Sequence, residues 1–131
     1  MKKLLFILSM IAFVSFAQTD LSGGIYNSET WNLAGSPYNV SGNLVVFDGV
    51  EITIEPGVKV LFEPSSGMEL RGKLLAIGTV SDSIVFTSSL SSPTIGAWNG
   101  IKVIGTDPTA SVNQVSMQYV KGMYASTFID L

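Results

Sequence analysis

Short apolar tracts recur along the chain from Gln18 onward, separated by Gly, Pro, Asn, Asp and Ser. Brief Val/Ile/Leu/Phe tracts between turn-forming residues are typical of β-strands joined by tight turns. Apolar and polar residues alternate in several of them, as in Val50-Glu51-Ile52-Thr53-Ile54, which predicts strands with one buried face. No stretch of ten or more residues after Gln18 combines a helical apolar period with freedom from Gly and Pro, so the pattern predicts an all-β fold. The main tracts are 44–47, 50–54, 58–62, 68–70, 74–77, 84–87, 101–104 and 115–120.

Three segments repeat one arrangement, in which an apolar residue and a polar residue precede a Gly or Pro break and a second apolar run. Each predicts two short strands that meet at a corner, and such self-similarity at short intervals indicates a solenoid. The segments are Val40-Ser41-Gly42-Asn43-Leu44, Ile54-Glu55-Pro56-Gly57-Val58 and Leu70-Arg71-Gly72-Lys73-Leu74.

A second regularity bears on the length of one coil. The apolar pairs Ile52/Ile54, Met68/Leu70 and Ile84/Phe86 are equally spaced along the chain. Their spacing of about 16 residues is short for three strands and three corners, so we expect these pairs on successive faces of coils of roughly 20 to 25 residues. The Ser-, Pro- and Gly-rich segment 88–96 is expected to form a loop at one corner.

The N-terminal segment 1–17 differs from the rest of the chain. Lys2 and Lys3 precede an apolar run, and the small residues Ser15 and Ala17 follow it, which predicts a secretory signal peptide over residues 1–17 with cleavage between Ala17 and Gln18. An apolar run of about 13 residues is shorter than the roughly 20 needed to span a bilayer, so no stable membrane anchor is expected. The exported chain is expected to be secreted or on the outer cell surface, with the periplasm as the alternative.

Composition removes several kinds of chemistry. The 131 residues contain no His and no Cys, which excludes Ser-His-Asp and Cys-His catalysis, imidazole or thiolate metal ligands, and disulfides. Seven Lys and Arg against ten Asp and Glu give a formal charge of −3, and the basic residues are scattered. We therefore expect no nucleic-acid partner, no metal site and no cofactor.

Several segments together resemble a family of exported right-handed parallel β-helix proteins, pectin-lyase-like in fold and common in Bacteroidetes. The resemblance spans about residues 22–103 and implies the N-terminal coils of a short solenoid. It also implies large chains with many further coils, sometimes followed by a C-terminal sorting domain of the gliding-associated secretion route. The segments are Trp31 with Ser36-Pro37-Tyr38, residues 52–60, residues 72–79, residues 84–88, and Trp98-Asn99-Gly100-Ile101.

Together these features divide the chain into a signal peptide, residues 1–17, and a parallel β-helix region, residues 18–131, which consists of an N-terminal segment 18–39 and coils over 40–131. Because the sequence stops at Leu131 without the further coils of the family, we expect a truncated product or the N-terminal piece of a longer protein. The alternative is that self-association closes the open C-terminal coil.

Four residues are candidates for binding. Glu51 and Glu69 are expected to point outward and to approach each other on one face, where paired carboxylates could serve glycoside hydrolysis or hold Ca²⁺. The simpler interpretation, which we favour, is that they solvate the strand surface. Trp31 and Trp98 could be platforms for stacking sugars, although packing in the core is favoured.

Arg71 and Lys73 flank Gly72 at a predicted corner, where a polysaccharide lyase could place a base. Solvated corner side chains are the favoured interpretation, and no residue is assigned a catalytic role.

The resulting hypothesis is an exported, non-catalytic β-helix module that serves as a structural, adhesive or ligand-presenting surface. Polysaccharides or cell-surface components are its expected partners. The alternative is the N-terminal fragment of a carbohydrate-active β-helix enzyme, a lyase or hydrolase, whose catalytic coils lie beyond Leu131. Three or more carboxylates converging on one face would favour the enzyme, and scattered ones would favour the module.

Overall fold

The alternating tracts form short strands that follow one another around a common axis. The computed structural model describes residues 18–105 and 114–131. The strands in this part of the chain are β1 Thr19–Leu21, β2 Gly24–Ile25, β3 Glu29–Trp31, β4 Tyr38–Val40, β5 Asn43–Val46, β6 Glu51–Ile54, β7 Lys59–Phe62, β8 Gly67–Leu70, β9 Lys73–Ile77, β10 Ile84–Ser88, β11 Ile101–Val103, β12 Val115–Gln118, β13 Val120–Gly122 and β14 Ile129–Asp130. A three-residue 3₁₀ turn, Leu33–Gly35, lies between β3 and β4.

Every third strand stacks on the strand one coil earlier, which produces three sheets. The first sheet has the order β1-β4-β7-β10-β13, the second contains β2, β5, β8, β11 and β14, and the third contains β3, β6, β9 and β12. Neighbouring strands are parallel throughout. The chain is therefore a short right-handed parallel β-helix, as the sequence predicts.

The strand register gives the length of a coil directly. Tyr38 is aligned with Val60 on the next coil, and Asn43 is aligned with Gly67. These two coils therefore take 22 and 24 residues, within the predicted range. Coils with longer connections exceed it, as where Met68 is aligned with Ile101 and Leu74 with Val115. The three equally spaced apolar pairs fall on β6, β8 and β10, which belong to three different sheets. The prediction that they occupy successive faces is confirmed.

The core consists of inward side chains that repeat from coil to coil. In β5, β6 and β7 every second residue is buried. Leu44, Met68 and Ile101 are aligned in one such column and are almost inaccessible to water. Burying one such aliphatic side chain is worth about 1.5–3 kcal/mol, so each aligned column stabilises the stack of coils.

The three repeated segments occupy three different corners. Residues 40–44 connect β4 to β5, residues 70–74 connect β8 to β9, and residues 54–58 connect β6 to β7. Gly42 has a φ of 70°, a left-handed conformation that glycine adopts without strain. Gly72 is required for another reason, because a Cβ atom there would collide with the carbonyl oxygens of Val50 and Phe47 on the preceding coil.

The ends of the chain differ from the predicted division. The first coil begins at Thr19, because β1, β2 and β3 pair with β4, β5 and β6, so segment 18–39 contributes a coil of its own. These strands are short and mostly polar, which hides their alternation. The tract 115–120 is interrupted at Tyr119, whose φ of 51° separates β12 from β13. The predicted signal peptide, residues 1–17, lies outside the described residues.

Segment 88–96 contributes to the loop between β10 and β11, at the corner between the first and second sheets, as expected. The loop leads into Trp98, whose ring stacks on Phe62 with 4.0 Å between centroids and 10° between planes. Phe128 packs against the Trp98 ring edge-on, at 6.1 Å. Among the residues that the structure describes, no helix has the length and apolar character needed to cross a membrane.

Replacing Gly72 by Ala is expected to lower the free energy of unfolding by about 2–3 kcal/mol, since the added methyl group displaces backbone of the neighbouring coil. The matched control is Gly42→Ala, where nothing lies within 4 Å of the new Cβ atom and only the left-handed φ opposes the change. That variant should lose about 1–2 kcal/mol. Urea denaturation of the full chain measures both values, and a loss for Gly72→Ala no larger than that of the control would contradict the proposed collision.

Truncating Trp98 to Ala is expected to cost about 3–5 kcal/mol, because a large cavity opens against Phe62. Trp98→Phe keeps an aromatic ring in the stack but removes the hydrogen bond that Nε1 donates to the Met123 carbonyl at 2.7 Å. It should lose about 1–2 kcal/mol. Denaturation followed by circular dichroism distinguishes the two, and equal losses would show that the stack contributes little.

Candidate functional site

Trp31, a candidate for sugar stacking, lies inside the first coil with 2% of its surface exposed. Its ring stacks on Tyr38, with 5.2 Å between centroids, and its Nε1 donates to Oε1 of Glu29 at 2.8 Å. Tyr38 in turn accepts a hydrogen bond from the Asn32 amide at 2.9 Å. Burial raises the pKa of the Tyr38 hydroxyl above its ordinary value, so this group stays protonated and anchors the turn after β3.

Trp98 is completely buried between Phe62 and Phe128. A sugar ring needs one free aromatic face, and neither Trp31 nor Trp98 has one. The sugar-stacking alternative for both residues is therefore wrong, and the reason is that each fills the inside of a coil.

Glu51 and Glu69 lie on different sheets, so the expectation that they approach each other on one face is wrong. Glu51 begins β6 in the third sheet, whereas Glu69 lies in β8 in the second. The strand register aligns Glu51 with Lys73 and Glu69 with Val45, so the two carboxylates are not stacked on each other. The two carboxylates therefore do not form the acid pair of a glycosidase.

The carboxylate of Glu69 is held by two neighbours. Arg71 approaches Oε1 through a terminal guanidinium nitrogen at 2.6 Å and through Nε at 2.8 Å, while Asn43 Nδ2 donates to Oε2 at 3.3 Å. The Arg71 hydrogen bond, together with its charge, holds the pKa of Glu69 below the ordinary value. Since Asn43 belongs to the preceding coil, Glu69 connects two coils.

A groove lies at the corner between the second and third sheets. Three stacked corners form it, namely the corner that follows β5, the corner that follows β8 and the segment that precedes β12. Its volume is about 350 Å³. Glu51 is thus brought together with Arg71 and Lys73, which were predicted at this corner, and with Asp48. The lining residues are Asp48, Gly49, Val50, Glu51, Arg71, Gly72, Lys73 and Gln114.

Gln114 was not a candidate, because a single polar residue before an apolar tract carries no signal in the sequence. Its buried Nε2 donates to the carbonyl oxygens of Arg71 and Gly72 at 3.1 Å, and to that of Ile104 at 3.3 Å. Its Oε1 atom has no hydrogen-bond partner within the described part of the chain. The side chain therefore closes the floor of the groove, one coil below Gly72.

The groove offers carboxylate acceptors and basic donors, which can hydrogen-bond a polar ligand. Within residues 18–105 and 114–131 no three acidic side chains converge in a way that could hold a metal ion. Two other shallow depressions follow the third sheet and the N-terminal coil, and Glu29 lines both.

Comparison with known proteins agrees with this architecture. The model of a family described as a pectate-lyase-like beta helix domain matches residues 23–126. The protein bark beetle of Drosophila melanogaster is 37% identical over 75 residues, which are 56% of this chain and 2% of the length of that protein. No solved structure matches. Since the family model covers most of the chain and the three parallel sheets stack as such a domain requires, the chain belongs to the pectate-lyase-like β-helix family.

Proposed function

We propose that this chain is an exported, non-catalytic β-helix module, which provides a rigid surface for structural or adhesive contacts with polysaccharides or cell-surface components. The observation that carries the proposal is the use of outward polar side chains as links between coils. Side chains engaged in holding the solenoid together are not free to act on a substrate.

The links recur on two sheets and at their corners. On the second sheet Glu69 joins Asn43 of the preceding coil, and on the first sheet Asn39 Nδ2 donates to Glu63 Oε1 at 3.0 Å. At the corners, serine hydroxyls accept hydrogen bonds from backbone amides of the next or preceding coil. The amides of Glu51, Lys59 and Gly42 donate to the Oγ atoms of Ser28, Ser36 and Ser66 at 2.8–2.9 Å.

The comparison with the Drosophila protein also supports use as a module. The chain spans only 2% of the length of that relative, so a unit of this kind is one small part of a much longer chain there. A stack in which each coil contacts only its neighbours suits a spacer or presenting surface.

The alternative is the N-terminal fragment of a carbohydrate-active enzyme. The corner groove favours it, because Lys73 lines it together with Asp48 and Glu51, and amine and carboxyl side chains are among the groups that serve as general acids and bases. Incubating the full chain with polygalacturonate, with and without Ca²⁺, distinguishes the two. The module yields no unsaturated uronate and no new reducing ends, whereas product formation that Lys73→Gln abolishes would support the enzyme.

If the module binds polygalacturonate, Glu51→Gln and Glu69→Gln should leave the affinity nearly unchanged, because the two carboxylates lie on different sheets and do not form an acid pair. Isothermal titration of each variant against the polymer measures this, with Glu55→Gln as an exposed control. A tenfold loss, equivalent to about 1.4 kcal/mol, together with an unchanged far-ultraviolet spectrum would contradict the proposal.

The structural role of Glu69 predicts a pH-dependent contribution to stability. Because its folded pKa is lowered from the ordinary value of 4.5, the contribution is fully present above pH 4.5 and disappears as the pH falls through the folded pKa. At pH 7 Glu69→Gln should lose about 0.5–1 kcal/mol, as expected for a partly exposed ion pair. Urea denaturation at several pH values should show this difference shrinking below pH 4.5. A difference independent of pH would show that the ion pair does not contribute.

A further inference from the structure

Several outward polar side chains join one coil to the next, but three in the corner groove do not. On the first sheet, for example, Asn39 donates to Glu63 of the following coil. In the groove, the side chains of Asp48, Glu51 and Lys73 form no hydrogen bond or ion pair with any other residue that the structure describes. Two carboxylates and one ammonium group therefore remain available to a ligand.

Glu51 and Lys73 are the clearest case. They are aligned on β6 and β9, and neighbouring strands lie about 4.8 Å apart. Opposite charges at such positions are near enough to pair, yet the ion pair within residues 18–105 and 114–131 is that of Arg71 with Glu69. A gap therefore lies between a carboxylate, which only accepts hydrogen bonds, and an ammonium group, which only donates them.

Arg71 provides the groove with a wall that is already held in place. Glu69 accepts from its Nε and pairs with one terminal nitrogen, and the guanidinium carbon lies 5.8 Å from the centroid of the Phe47 ring. Phe47 is itself stacked on Tyr26, with 4.6 Å between centroids. A guanidinium group has five N–H donors, so several remain for a ligand. Because the side chain is fixed beforehand, binding costs little further ordering.

The groove continues along the third sheet. A second depression of about 350 Å³ shares Glu51 with it and is lined by Ser28, Glu29, Thr30, Glu51 and Thr53. The aligned strands carry the two depressions from Thr30 on the first coil to Gln114 on the fourth. Three strand spacings amount to about 14 Å along the axis. This elongated shape fits an extended chain molecule.

The charges indicate which chemistry fits. The two depressions and the neighbouring Glu69 contain four carboxylates, against the two cations Arg71 and Lys73. A ligand with carboxylates of its own therefore meets an excess of negative charge. A hydroxyl group both donates and accepts, so it can bridge Glu51 and Lys73 without adding charge.

We propose that the corner groove and its continuation along the third sheet bind a neutral glycan chain, whose polar groups are hydroxyls, and discriminate against uronates. In the complex, sugar hydroxyls donate to Asp48 and Glu51 and accept from Arg71 and Lys73. This inference rests on the proposed function, for which it supplies the binding site and the class of ligand.

Isothermal titration of the full chain with polygalacturonate and with carboxyl-reduced polygalacturonate tests the discrimination. The two polymers differ only in a carboxylate that is replaced by a hydroxymethyl group. Cellohexaose, xylohexaose and mannohexaose extend the neutral set to other linkages. We expect at least one neutral glycan to bind about tenfold more tightly than polygalacturonate, and to do so equally well in about 1 M salt, where charges beyond about 3 Å are screened.

Two variants test the location. Asp48→Ala removes an acceptor and Lys73→Met removes a donor, and each should weaken the neutral glycan about tenfold, as expected for the loss of a charge-assisted hydrogen bond. The matched controls are Lys59→Met, because Lys59 begins β7 as Lys73 begins β9, and Asp82→Ala, at the corner between the third and first sheets. Both controls are exposed outside the groove and should bind as the wild type does.

The outcomes separate this inference from the proposed function. Tighter binding of polygalacturonate than of every neutral glycan, or equal losses in groove variants and controls, would overturn the groove's assignment while leaving a module that contacts polysaccharides. Binding to none of these glycans would overturn the assignment as well. Failure of the non-catalytic function is seen separately, as the release of unsaturated uronate or new reducing ends.

Discussion

The stacking of each coil on the preceding one is the interaction on which the rest of the structure depends. A strand of three to five residues buries little by itself, and its backbone groups are paired only when the next coil supplies a parallel neighbour. Each inward side chain then contacts the aligned side chain of the next coil, as in the column Leu44, Met68 and Ile101. The spacing of coils is set by this register, so corners and loops must adapt to it.

This dependence explains how much of the fold could be predicted. Alternation and the repeated corner segments were sufficient for strands on successive faces and for an approximate coil length, because both reflect local burial and local turns. Coils with long connections exceed that length, since a loop at a corner leaves no periodic signal. The first coil escaped prediction, since Thr19–Leu21 and Gly24–Ile25 contain too few residues to show a period. Its strands exist because β4 and β5 offer edges to pair with, which is a property of the neighbouring coil.

The candidate site was harder to predict than the fold, for a geometric reason. Two outward residues on neighbouring coils share a face only when the number of residues between them is close to the length of one coil. That length differs from coil to coil, because the corners contain different numbers of residues. Glu51 and Glu69 are a few residues too close in the sequence to be aligned on neighbouring coils. Arg71 and Lys73 lie about one coil after Glu51, so these side chains line the same groove. The role of the two tryptophans was also hard to predict, because the sequence alone does not show whether an aromatic side chain faces a ligand or the core.

Gln114 illustrates how a solenoid can vary without losing its register. One amide group holds the carbonyls of Arg71 and Gly72 on one coil and that of Ile104, which directly follows β11. Ile104 and Gln114, which lie towards the two ends of the connection between β11 and β12, are therefore held together by a hydrogen bond. Changes in the length of that connection during evolution need not disturb the strands on either side, which makes this corner a natural position for acquiring new sequence.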